Sequence, residues 1–109
     1  MKIIRWSYSI PPEKQKAFII YSKNVLRPTW KKFGCVKYEL LKIENQPVVP
    51  KQVVIPNHFV EQLWFSDGFN LTQFFAQIKS DPEANKISQQ YEKQFNASEI
   101  ELSVLTSLR

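Results

Sequence analysis

The sequence predicts an α+β domain with the element order β-α-β-β-α-β. Three observations carry this reading. Four short stretches are rich in β-branched and aromatic residues and alternate with period two. Two longer stretches repeat their apolar residues at helical spacing. Proline, glycine and Ser-Asp pairs fall between them as turns and caps. Two helical stretches cover one face of a four-stranded antiparallel sheet, which is the ferredoxin-like arrangement.

"KIIRWSYSI" (residues 2–10) is the first strand, stopped by Pro11-Pro12. Pro12 suits a first helical turn, where its missing N–H is no loss. Phe18, Tyr21 or Ser22, Val25 and Leu26 then form one inward stripe. Pro28 is expected to kink or end this helix near Arg27, leaving a last turn with Trp30 and Phe33. Gly34 is a candidate C-terminal cap. "CVKYELLKIE" (35–44) is the second strand. The segment 45–58 carries Pro47, Pro50 and Pro56, which exclude a helix or a central strand. Its valines predict an extended loop packed against something.

"HFVEQLWFS" (58–66) is the third strand. Alternation puts Phe59, Glu61, Leu63 and Phe65 on one face, and Val60, Gln62, Trp64 and Ser66 on the other. Ser66 or Asp67 is the expected cap of the next helix, whose stripe is Leu71, Phe74, Phe75 and Ile78. "SDPE" (80–83) is spelled as a capping box and restarts a helix with Ala84, Ile87, Tyr91 and Phe95 inward. "SEIELSVLTSL" (98–108) is the fourth strand.

The length of 109 residues fits one domain over residues 1–109 with a core of its own. A lone cysteine, Cys35, forms no internal disulfide, and a reducing compartment is the simpler expectation. The start is too short and polar for a secretion signal, and no apolar run has the length of a membrane span, so a cytoplasmic, soluble protein is expected. The net charge of +5 is uneven: residues 11–37 hold seven cations against Glu13 alone. Such a segment is a solvated helix face or a contact for nucleic acid or anionic lipid.

The element order is shared by RNA-recognition motifs. Their third strand carries a Gly pair and base-stacking aromatics at fixed spacing, and "NHFVEQLWF" has neither. The chain is more similar to another group. Trp64 ends the third strand, then come Phe65-Ser66-Asp67, then Phe69, Phe74 and Phe75, then Lys79-Ser80-Asp81. This succession resembles the dimeric α/β-barrel superfamily, particularly its antibiotic-biosynthesis-monooxygenase-like group. The resemblance implies a homodimer in which two sheets face each other and close a barrel. It also implies a pocket between sheet and helices. Members include cofactor-free oxygenases of polycyclic phenols and heme-degrading enzymes. At the place of the latter's heme-ligating histidine this chain has Ile87, and its first strand has no Asn. The phenol oxygenases use an Asn upstream of the Trp and an Arg beyond it. Here Asn57 lies seven residues before Trp64, and Arg109 is the next Arg after Arg27.

The functional expectation is therefore a cofactor-independent, monooxygenase-like protein for a small planar aromatic, needing no metal or flavin. Its alternatives are a non-catalytic dimeric binding protein and an RNA-binding module. Trp64 is either a flat pocket wall or a core aromatic. Trp6, Gln62 and Phe74 are further candidates for the substrate wall, or simply fill it. Arg5, mid-strand, needs a carboxylate such as Glu39, Glu61 or Glu101, the solvent, or an anionic ligand. His58, the one histidine, and Tyr38 are the candidate proton-handling groups. One histidine without cysteine or carboxylate at ligand spacing makes no metal site.

Overall fold

The computed structural model describes residues 1–108. The chain builds β1 (Lys2–Ser9), α1 (Pro12–Tyr21), a π-helical turn (Ser22–Leu26), α2 (Arg27–Lys32), β2 (Lys37–Lys42), β3 (His58–Phe65), α3 (Leu71–Ser80), α4 (Pro82–Lys93) and β4 (Ser98–Thr106). The strands form one antiparallel sheet in the order β2-β3-β1-β4. Both helical arms lie on one face, as the βαββαβ pattern requires.

Period two sorts the side chains. Ile4 and Tyr8 on β1, and Phe59, Glu61, Leu63 and Phe65 on β3, are buried under the helices. The core they join is aromatic: Phe18 meets Tyr8, Phe59 and Phe95 edge-on at 5.2–5.9 Å between ring centres. Such pairs add about 0.5–1.5 kcal/mol each beyond the area they bury.

The helix through Pro28 neither ends nor breaks. Proline cannot donate to the carbonyl four residues back, and its ring crowds that carbonyl. The chain meets this with the π-helical turn just before it, where the Arg27 N–H reaches Ser22 O across a wider loop. Helix α2 then closes on a Schellman motif: Cys35 N–H bonds Trp30 O at 3.0 Å and Gly34 N–H bonds Lys31 O at 3.2 Å. Gly34 has φ +107, and a Cβ there would meet the Phe69 ring at 2.4 Å, so both conformation and space demand glycine.

Both expected caps of the second arm move, the first by three or four residues and the second by one. Ser66, Asp67 and Gly68 make a turn closed by Phe69 N–H on Ser66 O, and the cap of α3 is Asn70, whose Oδ1 accepts from Gln73 N–H at 2.9 Å. Asp67 instead holds the N-terminal ammonium at 2.6 Å. Helix α4 is capped by Asp81, which accepts from Ala84 N–H at 2.9 Å; Ser80 closes α3 and its Oγ donates back to Gln77 O. A carboxylate one residue nearer to Pro82 wins over the spelled box.

The 45–57 segment does not pack as expected. Val48, Val49 and Val53 are exposed, and Gln52 orders the loop by accepting from Val48 N–H at 2.7 Å and donating to Gln46 O. No helix among the described residues is long and apolar enough to cross a membrane.

Candidate functional site

The centre of the molecule holds one buried acid. Glu61 is fully buried on β3, opposite Trp6 on β1 and Leu40 on β2. Tyr8 and Tyr38 stand at the diagonal positions of those neighbouring strands, within reach of a long side chain on the same face. Tyr91 comes down from α4. All three phenols donate to the carboxyl group: Tyr91 at 2.9 Å to Oε1 and 3.1 Å to Oε2, Tyr8 at 3.3 Å to Oε1, and Tyr38 to Oε2. Behind Tyr38, the Ser22 hydroxyl lies 2.7 Å from its phenol oxygen.

The electrostatics follow from this packing. Burial raises the Glu61 pKa to about 7, against the three phenol hydrogen bonds, which favour the ionised form. Burial and then the Glu61 charge push the Tyr8, Tyr38 and Tyr91 phenols upward, so they stay protonated donors.

Beside this cluster lies a cavity of about 450 Å³ between the sheet and α3–α4. Its apolar wall is Trp6, Trp30 and Phe75: the two indoles stack at 6.4 Å with 23° between planes, and Phe75 meets Trp6 edge-on at 6.3 Å. Tyr8 and Tyr91 line the same cavity, so two of the phenols face both the opening and the buried acid. Trp30 Nε1 is buried with no hydrogen-bond partner among the described residues, a donor that ordinarily costs about 1–3 kcal/mol to leave unmet.

The residues expected from sequence divide between the two faces of the sheet. Trp6 lines the cavity, and Tyr38 touches the acid from the far side. Phe74 is buried behind the wall, edge-on to Trp30 and Phe75. Trp64 and Gln62 stand on the opposite face with Arg5. Lys37 Nζ sits 4.7 Å from the centre of the Trp64 ring. With its amide oxygen turned toward the guanidinium, Gln62 accepts from Arg5 Nη2 at 2.8 Å and Nε at 3.0 Å. Among the described residues the partner of Arg5 is thus the Gln62 amide and not a carboxylate: Glu61 points the other way, and Glu39 and Glu101, though on the same face, form no ion pair with it. His58 is buried at the start of β3, its Nδ1 3.0 Å from Ser9 Oγ, and lies outside the cavity wall. Asn57 is in a left-handed turn and accepts from Gln15 Nε2.

Sequence reasoning missed Glu61 and Tyr91 as functional groups. The signal was present: Glu61 shares strand parity with Phe59, Leu63 and Phe65, so alternation alone places an acid in the core.

No family model and no curated protein matches the chain. Solved structures do. A Deinococcus radiodurans protein provisionally assigned as an antibiotic biosynthesis monooxygenase superposes with a TM-score of 0.69 at 16% identity, covering 100% of this chain and 94% of that one. HapK from Hahella chejuensis gives 0.67 at 19% identity over 99% and 93%. A dimeric ferredoxin-like protein from an uncultured marine organism gives 0.63 at 13% identity over 99% and 94%. At these identities the likeness is one of fold. The chain has the ferredoxin-like α+β fold of the antibiotic-biosynthesis-monooxygenase-like proteins.

Proposed function

We propose that this protein binds a small planar aromatic molecule in the cavity and oxidises it as a cofactor-independent monooxygenase. The observation that carries the reading is the joining of a flat indole wall, Trp6 and Trp30, to two phenols that rest on a buried acid. Planar apolar walls with a few convergent polar groups are what ligand sites look like. An acid titrating near neutrality is suited to accept a proton at working pH.

The chemistry needs one proton removed. An electron-rich phenol bound against Trp6 loses its proton through Tyr91 to Glu61. The phenolate then passes one electron to O2, and the two radicals join in a C–O bond. The resulting peroxide anion takes up a proton from solvent, loses water and leaves a quinone, with O2 as the oxidant.

Titration of tryptophan fluorescence with a panel of polycyclic phenols, followed by oxygen uptake, tests this. Saturable quenching and uptake are expected, with Glu61→Gln keeping the quenching and losing the uptake. Equal uptake by Glu61→Gln, or no quenching by any phenol, refutes it.

A second reading, a non-catalytic dimeric interaction protein, rests on a different observation. Ile100, Leu102 and Val104 on edge strand β4 are 41–53% exposed in one line, and Val48, Val49 and Val53 are exposed in the loop. Such apolar surface suits a second copy of the chain. A mass in dilute solution equal to one chain counts against this reading.

A further inference from the structure

On the far side of the core, the molecule has a second depression of about 580 Å³, between the α1–α2 arm and edge strand β2. Ser22 and Tyr38 line it, together with Lys23, Arg27, Lys31 and Lys37. These two hydroxyls are the same ones that reach Glu61 from behind. The aromatic cavity and the cationic groove therefore share one hydrogen-bonded chain: Tyr91 or Tyr8, Glu61, Tyr38, Ser22.

We infer that this chain is a proton relay, which carries the proton of a ligand in the aromatic cavity through Glu61 to water in the cationic groove. The inference rests on the proposed binding of a phenol in the cavity and adds the route by which its proton leaves. In the first half, the ligand O–H passes its proton to the Tyr91 oxygen as Tyr91 passes its own to Glu61. In the second half, Tyr38 turns its O–H from Glu61 to Ser22 Oγ; Glu61 then gives a proton to the Tyr38 oxygen as Tyr38 gives its own to Ser22 Oγ and Ser22 gives one to water. Each hydroxyl again holds one proton, and one proton has crossed the core.

Three features favour this direction. A ligand that fills the cavity covers Tyr8 and Tyr91, so the groove side is the exit left open. The groove's lysines and arginine, opposed by Glu39 alone among its described lining residues, repel a proton once it is in water. Ser22 opens the π-helical turn, a distortion that recurs at functional sites. Among the described residues, the titratable groups around the acid are Tyr8 from β1, Tyr38 from β2, Tyr91 from α4 and the more distant Cys35 thiol, and no lysine or arginine contacts it to trap the proton.

The test uses umbelliferone, a planar phenol whose phenolate is read by absorbance. Its complex with the full chain is jumped upward in pH, and the appearance of bound phenolate is timed. Ser22→Ala and Tyr38→Phe are expected to slow it by roughly ten-fold or more, and Ser22→Ala, which touches neither the cavity nor Glu61, is expected to leave probe affinity unchanged. Ser22→Thr, which keeps the hydroxyl, is expected to restore the rate. Unchanged rates in both variants overturn the relay while leaving the binding reading intact. Failure of umbelliferone and other planar phenols to bind overturns both, since the relay then has no proton to carry.

Discussion

Replacing Glu61 by Gln keeps the shape and an acceptor oxygen for the tyrosines but removes the titration. The consequence for stability has a definite sign. Glu61 has a pKa of about 7 in the folded chain, against 4.5 for the free side chain. Between those values the folded state holds a proton that the unfolded state has released. Stability is therefore greatest below the lower value, falls as pH rises, and levels off above the upper one. Each unit of pH in that window is worth about 1.4 kcal/mol, so the span amounts to about 3 kcal/mol. With a urea slope of about 2 kcal/mol/M, the midpoint of the native protein drops by roughly 1.5 M more than that of Glu61→Gln over the same range. Urea unfolding followed by tryptophan fluorescence, at several pH values from acid to neutral, measures it. Parallel pH profiles for the two proteins would refute the burial of an ionisable Glu61 on which the site depends.

Other consequences are simpler. Trp6→Ala removes one stacked indole from the wall and should weaken a planar phenol by about ten-fold, or about 1.4 kcal/mol, in a fluorescence titration based on Trp30. Gly34→Ala forces a Cβ onto Phe69 at a positive φ and should cost about 3 kcal/mol in urea unfolding. Asp81→Ala should cost about 1 kcal/mol and Ser80→Ala well under half of that, since the cap is Asp81. Equal losses for the two would return the cap to Ser80.

Much of the fold was legible because period and punctuation agree. The alternation of β3 gave the burial of Phe59, Leu63 and Phe65, and Gly34 gave the end of α2. What failed was local competition. Ser66 and Asp67 look like caps, but a tight turn and the chain's own ammonium take them first. Pro28 reads as a kink or an end near Arg27, and the chain absorbs it in one widened helical turn. The site was harder to read. Trp64 stands out as an aromatic beside a turn, but strand parity puts it on the face away from Trp6 and the cavity. Glu61 looks like a partner for Arg5 until register aims the two at opposite faces. Tyr91 lies 30 residues further along the chain, and spacing alone gives no sign that it meets Glu61.

The widened turn at Ser22–Leu26 makes the length of that helix, rather than its spelling, the quantity under constraint. An α-helix turns about 100° per residue. Deleting one residue there would restore the ordinary ladder and rotate everything upstream by that angle. Phe18 would leave its place among Tyr8, Phe59 and Phe95, and Ser22 would swing away from Tyr38. Substitutions along the exposed side of the turn leave both contacts alone. A chain one residue shorter would have to rebuild its core and its link to Glu61 together.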